Sequence, residues 1–111
     1  MTLGTGIGGA YFYKNELVTP NKYQGFEIGH MVIQIDGKDC KCGQKGCFQE
    51  YASMRIFRKQ IEELFNIEDL KSYKMFEILD SKEKREEVNE IIDRYIKYLS
   101  IGICNLINIF E

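Results

Sequence analysis

The 111-residue sequence has no long apolar run, no basic cluster and no basic, apolar leader, and each absence removes a class of function. A membrane-spanning helix needs about 18 or more consecutive apolar residues, and no stretch approaches that. Met1-Thr2-Leu3-Gly4 has neither the charged start nor the apolar core of a signal peptide, so a cytoplasmic location is expected. Lys and Arg number 15 against 17 Asp and Glu, for a net charge of -2, and nowhere do they gather into a basic face. Nucleic-acid contact by this segment is therefore not expected. Internal repeats and low-complexity segments are also missing. Hydrophobic residues make up 44% and charged residues 29%, so the chain can bury a core of ordinary globular type. At this length it is one domain at most, with little surplus stability, and such chains often lean on a metal or a partner.

The apolar pattern changes character along the chain. Thr2-Leu3 leads into Gly4-Thr5-Gly6-Ile7-Gly8-Gly9, followed by a short aromatic strand at Ala10 to Tyr13. Lys14 to Glu16 reads as a hairpin turn and Leu17-Val18-Thr19 as the returning strand. Pro20 to Gly25 reads as loop, and Met31 to Ile35 as a third strand stopped by Asp36-Gly37. From Ser53, a possible N-cap, the period becomes helical: Phe57, Ile61, Leu64 and Phe65 form one stripe. A short helix is expected over Tyr73 to Leu79. A long one is expected from about Asp80, where Glu83 completes a capping-box-like pair. Its stripe runs from Val88 to Phe110, and beyond Leu99 the polar face nearly vanishes, so this end is expected to be buried on most sides. Both ends of the chain read as cut, which leads to the expectation of an incomplete domain over 1–111. Its segments are a glycine loop and hairpin (1–19), a site segment (20–53) and a helical segment (54–111).

Of four cysteines, three crowd into Cys40-Lys41-Cys42-Gly43-Gln44-Lys45-Gly46-Cys47, and the single histidine, His30, precedes them. In a reducing compartment such crowding points to metal rather than disulfides. Three cysteines and one histidine make a common structural zinc set, and Gly43 and Gly46 let the backbone turn tightly around an ion. The plain alternative, three reduced thiols in a surface loop, is prone to oxidation. Cys104, in an apolar helix, reads as a small core residue. Gly4, Gly6 and Gly9 match a dinucleotide fingerprint in form, but strand-like residues follow where that fold needs a helix. The loop could cradle phosphate with backbone N–H groups, aided by the Thr5 hydroxyl, or be a simple tight hairpin. Glu27, three residues before His30, is by itself an ordinary surface carboxylate. It gains interest because a carboxylate beside a ligand histidine can grip vicinal sugar hydroxyls.

In this order, Gly4-Thr5-Gly6-Ile7-Gly8-Gly9, Glu27-Ile28-Gly29-His30, Cys40-x-Cys42-Gly43-x-x-Gly46-Cys47, Tyr51-Ala52-Ser53 and Asn105-Leu106-Ile107-Asn108 resemble the ROK family of bacterial repressors and sugar kinases. The resemblance covers essentially the whole chain. It implies an α/β fold, part of the C-terminal lobe of an actin-like ATPase of the ribonuclease H type. Within it come an N-terminal β-hairpin and strand, a zinc loop and then helices. It implies structural zinc on His30, Cys40, Cys42 and Cys47, sugar contact by Glu27, His30 and position 49, and Gly4, Thr5 and Gly6 near the phosphates of ATP. At position 49 the family pattern has Glu, whereas this chain has Gln49, an uncharged acceptor, so sugar affinity or choice is expected to differ.

The family's Asp-Gly-Gly phosphate hairpin, its Asn-Asp segment with the catalytic base and its late Gly-Gly segment near adenosine have no match in these residues. The resemblance thus implies part of an ATP-dependent hexose kinase, glucokinase- or fructokinase-like and inactive alone, with ATP and Mg2+ used only in the complete protein. A sugar-sensing ROK repressor without catalysis is the alternative, and a remnant keeping only a zinc-stabilised fold is a third. Expected partners are a hexose-type sugar, the missing lobe and a possible second copy through the apolar end at Ile101 to Phe110.

Overall fold

The structure is a computed structural model that describes residues 1–20 and 25–111. The loop expected from Pro20 to Gly25 falls partly on residues 21–24, which lie outside the described residues. Two small antiparallel ribbons open the chain. Strand β1 (Thr2–Leu3) pairs with β2 (Ile7–Gly8), Thr2 opposite Gly8, so the glycine loop is a tight turn over residues 4–6. Strand β3 (Phe12–Tyr13) pairs with β4 (Glu16–Leu17). Lys14 and Asn15 both take positive φ, 50° and 65°, the geometry of a turn whose twist matches a two-residue hairpin.

The third strand expected at Met31 to Ile35 does not form. A 3-10 turn, Ile28–His30, precedes it, and the following residues make one isolated bridge, Val32 to Cys47. The reason is the lack of a ladder. Two backbone bonds flank that bridge, Ile33 N–H to Gly46 O and Phe48 N–H to Met31 O. Asp36 then turns away at φ 52°.

Four helices follow: α1 (Gln49–Ala52), α2 (Met54–Phe65), α3 (Ser72–Asp80) and α4 (Arg85–Phe110). Ser53 caps α2 as its sequence suggests, its Oγ accepting from Ile56 N–H at 3.3 Å. Asn66, at φ 53°, ends that helix in the left-handed conformation. The long helix starts later than its sequence suggests. Asp80 closes α3, and Lys84 at φ 50° breaks the path before α4, so Asp80 and Glu83 form no cap. Arg85 bridges the gap by donating to the carbonyls of Leu79 and Ser81.

Two apolar clusters form. One joins α2, α3 and α4 through Phe57, Ile61, Leu70, Met75, Ile78, Val88 and Ile91. The other gathers Ile7, Phe48 and Ala52 beneath Ile28, Met31 and Leu99, and Tyr95 packs against both. The far end of α4 departs from expectation: Ile101, Ile107, Ile109 and Phe110 are exposed, as is Cys104. Among the described residues α4 packs on α1 and α2, which leaves its last turns largely uncovered. No helix in the described residues is long and apolar enough to cross a membrane.

Gly102 marks where the site segment rests on α4. A Cβ there would run into Cζ, Cε1 and Cε2 of Phe48, which is fully buried. Gly102→Ala is therefore expected to lower stability by about 1–3 kcal/mol through overpacking, despite the better helix propensity of Ala. Urea unfolding checks this, and an unchanged or raised midpoint would show that the ring is free to move.

Candidate metal centre and adjoining clefts

Local chain geometry gathers four donors from distant positions. The 3-10 turn carries His30, its N–H bonded to Glu27 O at 3.0 Å. The cysteine loop closes on itself: Gly43 N–H donates to Cys40 O, Cys40 N–H to Gln44 O, and Gly46 N–H to Lys38 O at 2.8 Å. Gly46 sits at φ +84°, and a Cβ there would strike the Gln34 carbonyl, so this corner admits only glycine.

His30 Nδ1 lies 3.5 Å from Cys40 Sγ, and Cys42 Sγ lies 3.5 Å from Cys47 Sγ. All four donor atoms fall within 4.8 Å of one another. A tetrahedral zinc ion with ordinary bond lengths has edges of about 3.8 Å between sulfurs and about 3.6 Å between nitrogen and sulfur. Two opposite edges of the cluster already have nearly these lengths, and the longest separation needs a contraction of about 1 Å. The donor set fits a four-coordinate ion, with Cys47 fully buried, Cys40 buried and Cys42 exposed. A backbone hydrogen bond at Gln44 lowers the Cys42 thiol to about 6, with help from Cys47. Burial pushes Cys47 up to about 12, as does its hydrogen bond with Cys42.

The residues expected to contact ligands are divided between two clefts. Glu27 and His30 line one of 450 Å³ together with Lys41 and Cys42. Thr5, Gly6 and Gln49 line a second of 500 Å³ with Asp39, Lys41, Glu50 and Arg55. Gln49 thus lines a different cleft from Glu27 and His30, and Lys41 is the residue common to both clefts. Within the glycine turn Gly4 N–H already bonds Gly6 O at 3.0 Å.

Three contributors carry no sequence signature. Arg55 anchors the glycine turn, its Nε donating to Thr5 O and its Nη2 to both oxygens of Glu50 at 3.1 Å. No local pattern could reveal it, since Thr5 lies 50 positions away. Gln44 donates from Nε2 to His30 O and Cys42 Sγ, stitching the two halves of the donor set. Lys41 could have been noticed only as the residue flanked by two cysteines of the donor cluster.

Comparison with known proteins places this geometry. N-acetylmannosamine kinase of Vibrio cholerae serotype O1 is 32% identical over 106 residues, covering 96% of this chain and 36% of the kinase. Glucokinase of Thermotoga maritima is 29% identical over 124 residues, covering all of this chain and 38% of the enzyme. The ROK hexokinase of Thermus thermophilus superposes with a TM-score of 0.80 at 24% identity, over 98% of this chain and 36% of that one. The chain thus spans well under half the length of these relatives, and its fold is that of part of an actin-like ATPase lobe. The family model described as ROK family matches residues 1–111, and with the Glu-x-Gly-His turn seated against the cysteine loop this chain belongs to the ROK family.

Proposed function

We propose that this chain is the metal-braced, sugar-contacting part of an ATP-dependent ROK hexose kinase. The observation that carries the reading is His30, whose Nδ1 joins the four-donor cluster while the residue also lines the cleft that holds Glu27. His30, Cys40, Cys42 and Cys47 would hold zinc, which with four protein ligands supplies structure and no open position for chemistry. Ligation through Nδ1 fixes the tautomer, so Nε2 carries the proton and donates to a sugar oxygen. Glu27 is an exposed acceptor for the hydroxyls beside it. Thr5 and Gly6, in the neighbouring cleft, offer N–H groups and a hydroxyl toward nucleotide phosphate, with Lys41 between sugar and phosphate.

The named kinases among the relatives favour this reading over the sugar-sensing repressor. We read 1–111 as an incomplete domain of three segments, 1–19, 20–53 and 54–111, whose catalytic base lies outside them. Isothermal titration of the zinc-loaded protein with glucose, N-acetylmannosamine and N-acetylglucosamine tests the sugar site. Glu27→Ala is expected to weaken whichever sugar binds by about 10-fold or more, the loss of a charge-assisted hydrogen bond. An unaltered affinity would take Glu27 out of the site.

A further inference from the structure

We propose that Gln49 is a positioning residue whose side-chain amide ties the Cys40 ligand sulfur to the glycine turn and to the Glu-x-Gly-His turn. The inference rests on the metal reading of the cluster. Gln49 opens α1, is 7% exposed, and its Nε2 donates to Cys40 Sγ at 3.8 Å. Its Oε1 occupies the space a side chain would need at two glycines, 2.8 Å from a Cβ built on Gly6 and 3.0 Å from one built on Gly29. One amide therefore touches the metal loop, the residue after Thr5 and the residue before His30. Glycine at position 6 is what lets it lie there, whereas a Cβ at position 29 would meet the Ile7 carbonyl first.

The chemistry explains why an amide stands at this position. Three thiolates and a neutral imidazole around a dication leave a net charge of -1, and the sulfurs remain good hydrogen-bond acceptors. An amide N–H donates to such a sulfur without adding charge. A carboxylate in the same pose has no proton to give and faces a like charge at short range. The Gln in place of the family's Glu thus exchanges a charged acceptor for a donor to the metal ligand. With its amide so engaged, hydroxyl recognition falls to Glu27 and His30 in the neighbouring cleft.

The test compares wild type with Gln49→Met, similar in length but without an N–H, and Gln49→Glu. Zinc affinity is measured by competition with a chromophoric chelator, and the ligand field by the thiolate-to-cobalt charge-transfer band of the Co2+ form. Both variants are expected to bind zinc about 10-fold or more weakly, the usual cost of losing a partner to a metal ligand. The charge-transfer band is expected to shift in Gln49→Met, a change that simple packing loss would not produce. Should that variant fold poorly, the wild type still answers. In the cadmium-113 form, a through-bond coupling between the metal and a Gln49 side-chain amide proton is expected across the N–H···S bond. Wild-type affinity and an unmoved band in Gln49→Met, or no coupling in the cadmium form, would overturn the inference alone. Failure of the wild type to take up any metal would remove the metal reading and this inference with it.

Discussion

Stripping the metal is expected to lower the melting temperature by about 10 °C or more, and zinc-replete protein is expected to contain one zinc per chain by elemental analysis. The size of the effect follows from how little else holds residues 30–47. The backbone there makes two isolated bridges, Val32 to Cys47 and Asp39 to Lys45, and no strand or α-helix. Val32 is exposed and Ile35 is 81% exposed, so beyond Cys40 and Cys47 the loop's apolar burial is limited to the half-buried Met31 and Ile33. Structural zinc sites bind with roughly 10–16 kcal/mol, a free energy that counts toward folding. A domain of this size has only about 5–15 kcal/mol in total. Even a few kcal/mol lost moves the midpoint by roughly 4–8 °C each in a domain near 100 residues. Cys47→Ser is expected to act in the same direction, since its thiol is fully buried among the donors. Metal-free protein with three titratable thiols in the loop and an unchanged midpoint would refute the zinc reading.

Residues 1–111 alone are expected to show no sugar-dependent ATP consumption above background, a loss of essentially the whole rate. Phosphoryl transfer depends on positioning and on electrostatic stabilisation of the transferring group by a base, metal-bound phosphates and a closed site. The two clefts supply acceptors and donors for substrate, and Lys41 and Arg55 supply positive charge, with Arg55 already engaged by Glu50. Glu27 is exposed and lines the cleft of His30 rather than that of the glycine turn. No carboxylate among the described residues lines both clefts. A coupled assay on zinc-loaded chain with glucose, fructose, mannose and N-acetylated hexosamines is the measurement. Turnover above background that vanishes in Glu27→Ala would overturn this expectation and require a catalytic base among these residues.

The donor set was legible in the sequence because ligand chemistry is written in residue type: one histidine and three close cysteines leave few other uses. Helix α2 was legible for a similar reason, with Ser53 capping a clean 3.6-residue stripe. What escaped were features set by partners far along the chain. Met31 to Ile35 has the composition of a strand, but a strand needs a ladder, and the cysteine loop offers it only a single bridge. Cys104 and the Ile101 to Phe110 run have the composition of a core, but among the described residues only part of that end is covered, with Tyr11 and Phe26 against Phe110. The start of α4 was misplaced because a lysine in the left-handed conformation at position 84 has no signature in its neighbours. Gln49 was readable as a departure from family pattern, whereas its contact with Cys40 depends on a packing arrangement that no spacing encodes.

Tyr95 stands midway along α4 and packs against both apolar clusters, while farther along the same helix Gly102 seats Phe48, the neighbour of Cys47. A 26-residue helix is a continuous element about 39 Å long. It carries the helical cluster toward one end and the seat of Phe48, beside the cysteine loop, toward the other. The helical segment thus shares one support with a donor cluster to which it contributes no chemical group.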